Sequence, residues 1–236
     1  MRRSFIIALL ATVAIGALAT PAWAVQATLT DDAHTSAAAQ ARNFGQAPAL
    51  LVQAPAPRAA SFLKFDLASL PSGTQGIDVV KATLTLWVNR VGAPGFLDVR
   101  VVRSPWSEST LTSVTTPRLG SVEIGGVPVL APAKHSFLTI DLTVMVREWL
   151  DKGLPNHGIA LVPASPDLSV AFDSKENSTT SHEPRLEIVL RGEPGAAGPA
   201  GPPGPPGQSG GAPGPPGPPG MGLGSGPRLE CFLPVL

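Results

Sequence analysis

The sequence Lys81-Ala82-Thr83-Leu84-Thr85-Leu86-Trp87-Val88 alternates polar and apolar side chains with a period of two residues. Its four even-numbered residues are all apolar and would lie on one side of an extended segment. Lys81, two threonines and Trp87 would lie on the other side. This pattern is typical of a β-strand with one buried face, and it therefore predicts such a strand here.

Seven other segments show the same alternation or are short apolar runs. They are 50–53, 61–67, 97–101, 136–142, 159–162, 168–172 and 186–190. Glycine and proline turn signals stand between them, at 70–73, 92–95, 125–126 and 154–156. Many short strands separated by such turns favour an all-β fold, and we predict a jelly-roll β-sandwich.

A single stretch, 143–152, has the pattern of a helix. Thr143 is predicted as its N-cap and Gly153 as its C-terminal stop. Val146, Trp149 and Leu150 would share one face, which predicts a short helix that covers the sandwich core.

The first 24 residues have the features of a secretory signal peptide. Arg2 and Arg3 give a positive start, 5–19 is apolar, and Ala22-Trp23-Ala24 is a small-x-small cleavage signal. The apolar run is shorter than the roughly 20 residues that a membrane-spanning helix needs, so a membrane anchor is the less favoured alternative. The paired arginines leave open whether export follows the general or the twin-arginine route.

Near the C-terminus, glycine recurs at every third position from Gly192 to Gly210 and again from Gly211 to Gly220. Proline fills many of the positions between, and this Gly-X-Y pattern is specific for collagen-like sequence, since only glycine fits at the axis of the triple helix. We therefore predict a collagen-like repeat over 191–222 and a C-terminal tail over 223–236. A disordered Pro/Gly linker is the alternative.

Cys231 lies in that tail and is the one cysteine of the chain. A lone cysteine in an exported protein suggests an interchain disulfide or a free thiol. If three chains lie in register, Cys231 would link them. The alternative is a frayed tail.

Composition excludes several classes of function. Without the leader the net charge is −2, which argues against a basic nucleic-acid-binding surface. The four histidines lie far apart in sequence and do not have the spacing of metal ligands. The segment 207–211 has the bare pattern of a nucleophile elbow, but the collagen-like repeat surrounds it and no strand precedes it. We predict no catalytic residues and a protein that is not an enzyme.

Several motifs together resemble one family. They lie at 61–71, 82–88, 104–110, 140–150, 156–161, 172–176 and 184–186. In order and spacing they resemble DNRLRE-domain proteins, which are similar to carbohydrate-binding module family 96, over about 27–190. The resemblance implies a jelly-roll head at 25–190 with a non-catalytic, sugar-binding or adhesive role.

Four residues are candidates for contacts with a carbohydrate. Trp87 lies on the polar face of its strand and is a candidate stacking platform for a sugar ring, although a covering loop would make it part of the core. Arg90, Asp98 and Arg100 are candidates for bonds to sugar hydroxyls or uronate carboxylates, and an ordinary solvated face is the alternative. The chain has no tyrosine, so it offers fewer rings for stacking than the family pattern implies.

Calcium is the one cofactor that the sequence suggests, in a structural role. Asp31, Asp32, Asp173 and Glu176 form a candidate hard-cation site, because calcium takes six to eight oxygens, often from carboxylates. Binding there requires an early segment and a late segment of the chain to meet.

Three hypotheses of function follow. The first is an exported carbohydrate-binding or adhesive module presented at the cell surface or extracellularly on a collagen-like stalk, with a glycan as partner. The second is a structural head or trimer-forming cap of a surface fibre without a glycan ligand. The third, a polysaccharide-degrading enzyme, lacks a catalytic constellation in the sequence.

The collagen-like repeat predicts a homotrimer in solution. We expect light scattering to give the full chain three times the monomer mass, and to give residues 25–190 a lower oligomeric state, because the repeat would join three chains. A monomeric full chain would contradict a folded triple helix.

Overall fold

The computed structural model describes residues 22–192 except 55, 57, 152, 154 and 181. These residues contain ten β-strands and one α-helix, and Ala22–Arg191 forms one compact unit. In chain order the elements are β1 (Ala22–Ser36), β2 (Ala49–Gln53), β3 (Ala59–Asp66), β4 (Val79–Ala93), β5 (Gly95–Val102), β6 (Leu119–Val129), β7 (Phe137–Asp141), α1 (Thr143–Asp151), β8 (Ile159–Pro163), β9 (Ser169–Asp173) and β10 (Arg185–Arg191).

The predicted terminal segments fall largely outside the described residues. Of the predicted leader, only 22–24 are described, and they begin β1. Of the predicted repeat at 191–222, only Arg191 and Gly192 are described, and the tail with Cys231 lies wholly outside.

β1 and β4 are the longest strands, with 15 residues each, and each pairs with two groups of strands. The first group runs β1–β10–β4–β7, antiparallel throughout. In the second group the later part of β1 pairs with β3 and the later part of β4 pairs with β9. Register shifts after Leu29 and after Val88 mark where the two strands pass between the groups.

The remaining strands complete the second group. β2 joins β9 to β3, and β8, β5 and β6 follow β3 in that order. All eight predicted strand segments coincide with strands of the structure, which confirms the all-β prediction.

The segment 81–88 forms a strand with one buried face, as its alternation predicts. Its four even-numbered residues are fully buried, while Trp87 is half-buried. They share one apolar cluster with residues of both strand groups, among them Leu186 of β10 and Phe172 of β9. Burial of each such large side chain is worth about 1.5–3 kcal/mol, so this core holds the two groups together.

α1 follows β7 and packs against β4. Val146 and Trp149 are buried and Leu150 is partly buried against the same core, as predicted. The predicted N-cap is wrong: Thr143 is the first helical residue, and its hydroxyl donates to Asp141 Oδ1 at 2.5 Å. No helix in the described part of the chain is long and apolar enough to cross a membrane.

The sequence patterns predict neither β1 nor β6. Gly125 and Gly126, predicted as a turn, lie inside β6, and that prediction is wrong. The pair forms a bulge opposite Asp98, where Gly126 has a φ of +68° and donates its N–H to Asp98 Oδ1 at 2.9 Å. A glycine pair signals a turn or a bulge alike, and the partner strand decides between them.

The alternation of β1 over 25–30 stops halfway along the strand, because its two halves have different environments. Its first half exposes most side chains, whereas Asp32, Ala33, His34 and Thr35 are buried in succession. Four consecutive buried residues mean that both faces of this part of the strand are covered, so no period of two arises.

Gly158 provides a test of how closely β8 approaches β3. Its φ is +83°, and an added Cβ would collide with the carbonyl of Leu63 and lie 2.9 Å from Lys64 Cα. We expect Gly158→Ala to lower the free energy of unfolding by about 3 kcal/mol or more, because the clash is with backbone.

The matched control is Gly73→Ala. Gly73 has a φ of +84° with nothing within 4 Å of an added Cβ, so only backbone strain of about 1–2 kcal/mol applies. Urea unfolding followed by circular dichroism measures both, and equal losses in the two variants would show that the close approach is not as described.

Candidate functional site

The outward surface of the first strand group presents polar and aromatic side chains in rows. Strand register places Gln26, Glu187, Thr83 and Asp141 in one row, Arg185, Thr85 and Thr139 in the next, and Trp87 and Phe137 in the third. We call this surface the β4 face. It arises because the inward residues of β4 occupy the core and the intervening residues must point away from it.

Three rings gather at one end of the β4 face. Trp87 lies 4.8 Å from Phe137 and 4.1 Å from His182, measured between ring centroids. His182 therefore covers part of the Trp87 ring, while the Phe137 side of the cluster is open, with Phe137 56% exposed. Phe137 is thus the most exposed ring of this cluster, and Trp87 contacts it edge-to-face from the neighbouring strand.

A groove of about 360 Å³ runs beside the rings. Thr83 and Thr85 form its floor, and Arg185, Glu183 and Glu187 supply charged groups. Hydroxyl, guanidinium and carboxylate groups next to an exposed ring are the chemistry that binds a sugar, since the ring packs against C–H groups and the polar groups bond the hydroxyls. Sequence analysis did not single out Phe137, although the alternation in 136–142 places it on the outward side of its strand with Thr139 and Asp141.

Three predicted sugar-contact residues lie elsewhere or have other partners. Arg90 is exposed on the later part of β4. Asp98 accepts the N–H of Gly126, and Arg100 donates to the carbonyl of Gly120 from Nε at 2.9 Å and from Nη2 at 2.6 Å. Asp98 and Arg100 therefore hold β6 against β5.

A second polar site lies on β1, where Asp32 is only 1% exposed. Carboxylate oxygens of Asp32, Glu108 and Glu176 come within 4.8 Å of one another, and we call these three side chains the carboxylate cluster. Lys175 Nζ lies between them, 3.4 Å from Asp32 Oδ1 and 3.3 Å from Glu176 Oε1, and donates to Glu108 Oε2. The backbone N–H of Lys175 also donates to Asp32 Oδ2 at 2.9 Å.

The cluster includes two of the four residues predicted as a calcium site. Asp32 and Glu176 meet, so the early and late segments do come together. Asp31 instead forms an ion pair with Lys64 at 2.8 Å, and Asp173 accepts from Asn89 at 2.8 Å and from the Thr180 hydroxyl.

Glu108 is the member that sequence analysis missed. It lies in the loop between β5 and β6, where its N–H donates to Asp31 Oδ1 at 3.0 Å and its carbonyl accepts from Asn43 Nδ2 at 2.6 Å. The motif at 104–110 that carries the family resemblance contains this residue, but its distance from Asp32 along the chain hides the contact.

Burial shifts the pKa of two neighbouring groups on β1 in opposite directions. Burial and the nearby Glu176 raise the pKa of Asp32 to about 7, although the backbone N–H and the charge of Lys175 oppose the shift. Burial lowers the pKa of His34 to about 4, with Arg42 contributing. His34 stacks on Phe44 at 4.3 Å, so its charged form has little access to water.

These shifts predict opposing effects of pH on stability. Between about pH 4 and 7 the folded state holds the Asp32 proton more tightly than the unfolded state, so this group lowers the free energy of unfolding as pH rises. His34 does the reverse between about pH 4 and 6.5, because the unfolded state binds its proton more tightly. The two contributions offset each other in the wild type.

Single variants should separate the two contributions. In Asp32→Asn only the His34 contribution remains, and we expect the free energy of unfolding to rise from pH 4 to 6.5. In His34→Phe only the Asp32 contribution remains, and we expect the free energy of unfolding to fall from pH 4 to 7. Each change should be on the order of 3 kcal/mol or less. Urea unfolding in the presence of a chelator measures both profiles. Parallel profiles in the two variants would contradict the opposite shifts.

The comparisons with known proteins bear on the whole described domain. The model of the family described as carbohydrate-binding module family 96 matches residues 24–189, a range that contains the β4 face and the carboxylate cluster. No curated protein matches the chain. The family match covers well over half of the sequence and agrees with the all-β fold, so the chain belongs to carbohydrate-binding module family 96.

Proposed function

We propose that this chain is an exported, non-catalytic carbohydrate-binding or adhesive module, secreted or displayed at the cell surface. Its jelly-roll β-sandwich head would bind a polysaccharide or cell-surface glycan, and its collagen-like segment would present the head as a stalk. Family membership supports the carbohydrate as ligand. The leader and the repeat support export and the stalk.

The observation that carries this proposal is the β4 face. Phe137 is an exposed aromatic ring on a strand surface, held in place by contacts with Trp87 and His182. A ring that is fixed before binding loses little conformational freedom when a sugar packs on it. The groove beside it offers the hydroxyls of Thr83 and Thr85 and the charged groups of Arg185 and Glu187.

A single head with one accessible ring in this cluster would bind a sugar weakly. Three heads on one stalk would raise the apparent affinity for a repeating polymer, because the second and third contacts become intramolecular. This is the role that we assign to the collagen-like segment, with Cys231 as the candidate link between chains.

The second candidate function is a structural head or trimer-forming cap of a surface fibre. It is favoured by the partial cover of Trp87 by His182, which leaves a small aromatic surface for stacking. The two candidates differ in whether a polysaccharide retards the head in affinity electrophoresis.

Affinity electrophoresis of the full chain against a panel of polysaccharides tests the proposal. We expect retardation by at least one polymer and a loss of roughly tenfold in affinity for Phe137→Ala, since an aromatic contact of this kind is worth about 1–1.5 kcal/mol. Trp87→Ala should weaken binding as well, because Phe137 then loses its support.

Phe96→Ala is the matched control. Phe96 is 48% exposed on β5, outside the β4 face, so its loss should leave retardation unchanged. Equal effects of Phe96→Ala and Phe137→Ala would remove the β4 face as the binding surface. No retardation by any polymer of the panel would favour the structural head.

A further inference from the structure

Lys175 contacts Asp32 through both its backbone and its side chain. The backbone N–H of Lys175 donates to Asp32 Oδ2 at 2.9 Å, and Nζ lies 3.4 Å from Asp32 Oδ1. The Asp32 side chain is 0% exposed. An amine and a carboxyl group are the two reactants of an amide bond, and a fold that holds them together replaces the encounter that the reaction needs in solution.

Asp32 can supply the form of the carboxyl group that this reaction requires. An amine attacks a neutral carboxylic acid more readily than a carboxylate, whose negative charge repels the nucleophile. Burial and the nearby Glu176 raise the pKa of Asp32 to about 7, so the neutral acid is present near neutral pH. The N–H of Lys175 would also stabilise the negative charge that Oδ2 gains during the attack.

Glu108 and Glu176 are placed to accept and pass on the protons of the Lys175 ammonium. Nζ donates to Glu108 Oε2 and lies 3.3 Å from Glu176 Oε1. An ammonium group becomes a nucleophile only when it loses a proton, and a carboxylate in contact with it can act as the general base. The cluster therefore combines an amine, a buried acid and a base.

A second lysine–aspartate pair in the same region offers a comparison. Lys64 Nζ lies 2.8 Å from Asp31 Oδ2, and the Lys64 side chain is 25% exposed, as is that of Lys175. The Asp31 side chain, however, is 16% exposed, and Lys64 Nζ also donates to the backbone carbonyl of Trp106. This pair therefore lacks the fully buried acid, and we expect it to remain an ordinary ion pair.

We propose that Lys175 Nζ and Asp32 Cγ form an intramolecular amide bond, with Glu108 as the general base. Glu108 takes one proton from the Lys175 ammonium and passes it to solvent, and the free amine attacks Cγ of the protonated Asp32. A second proton moves from Nζ through Glu176 to the Asp32 hydroxyl group, which leaves as water. One ammonium and one carboxylic acid thus give one amide, one water molecule and one proton, without any other reactant.

The bond would tie β1 to the loop that follows β9. Residues 32 and 175 lie 143 positions apart in the chain, and a cross-link that closes a long loop restricts the unfolded chain, as a disulfide does. The single cysteine cannot form a disulfide within the chain. The pH profiles predicted above describe the chain before this bond forms, because the amide has no carboxyl proton to bind.

Peptide mapping by mass spectrometry tests the proposal on the full chain, which is folded, held at pH 7, then denatured and digested with trypsin. We expect a branched peptide that joins 153–185 to the peptide that ends at Arg42. Trypsin should not cleave after Lys175, because its amine is part of the amide. The branched peptide should be lighter by one water molecule than its two parts, and its fragments should place the bond at Asp32.

Three variants test the roles of the residues. Lys175→Arg keeps the positive charge but not the nucleophilic amine, so the branched peptide should be absent. Glu108→Gln removes the base and should slow its formation by roughly tenfold or more. Lys64→Arg is the matched control and should form it as the wild type does. Circular dichroism checks that each variant is folded.

A wild-type chain that yields only unbranched peptides after several days at pH 7 would overturn the proposal, and so would a loss of water located at another residue. Equal rates in the wild type and in folded Glu108→Gln would overturn the role of Glu108. The wild-type map needs no variant, so a variant that does not fold leaves the test intact. The bond involves no residue of the β4 face, so its absence is distinguishable from a failure of glycan binding.

Discussion

β1 and β4 each pair with strands of both groups, and four of the other eight described strands pair directly with one of these two. A strand can pass from one group to the other only by bending, and the register shifts after Leu29 and Val88 lie where the pairing changes. The fully buried residues of β4 sit at this junction. Their burial couples the two groups, because neither group can shift without exposing them.

The same bends produce both candidate sites. Before its bend, β4 presents one face to the core and the other to solvent, and that outward face carries Trp87 and the groove floor. After its bend, β1 is covered on both faces, so Asp32 and His34 are buried. The outward face is thus suited to a large exposed ligand, whereas the carboxylate cluster surrounds the Lys175 ammonium.

The two sites would serve different purposes in one binding module. Ring stacking and hydroxyl contacts on the β4 face would provide recognition. The Lys175 ammonium in the carboxylate cluster joins β1 to two loops, which is a contribution to stability rather than to recognition. Presentation of several heads on one stalk would then multiply a weak contact through avidity.

Local patterns were sufficient for the strands with one buried face and one exposed face, such as β4, and for the buried face of α1, since periodicity reports burial on one side. They were insufficient where both faces are covered, as in the later part of β1, and where a glycine pair forms a bulge in β6. They also brought Asp32 and Glu176 into one candidate site but not Glu108, because contacts between residues far apart in sequence depend on strand pairing. Sequence periodicity therefore established the class of fold, and the family motifs indicated the class of ligand. The exposure of the Phe137 ring and the membership of the carboxylate cluster depended on how the strands pack.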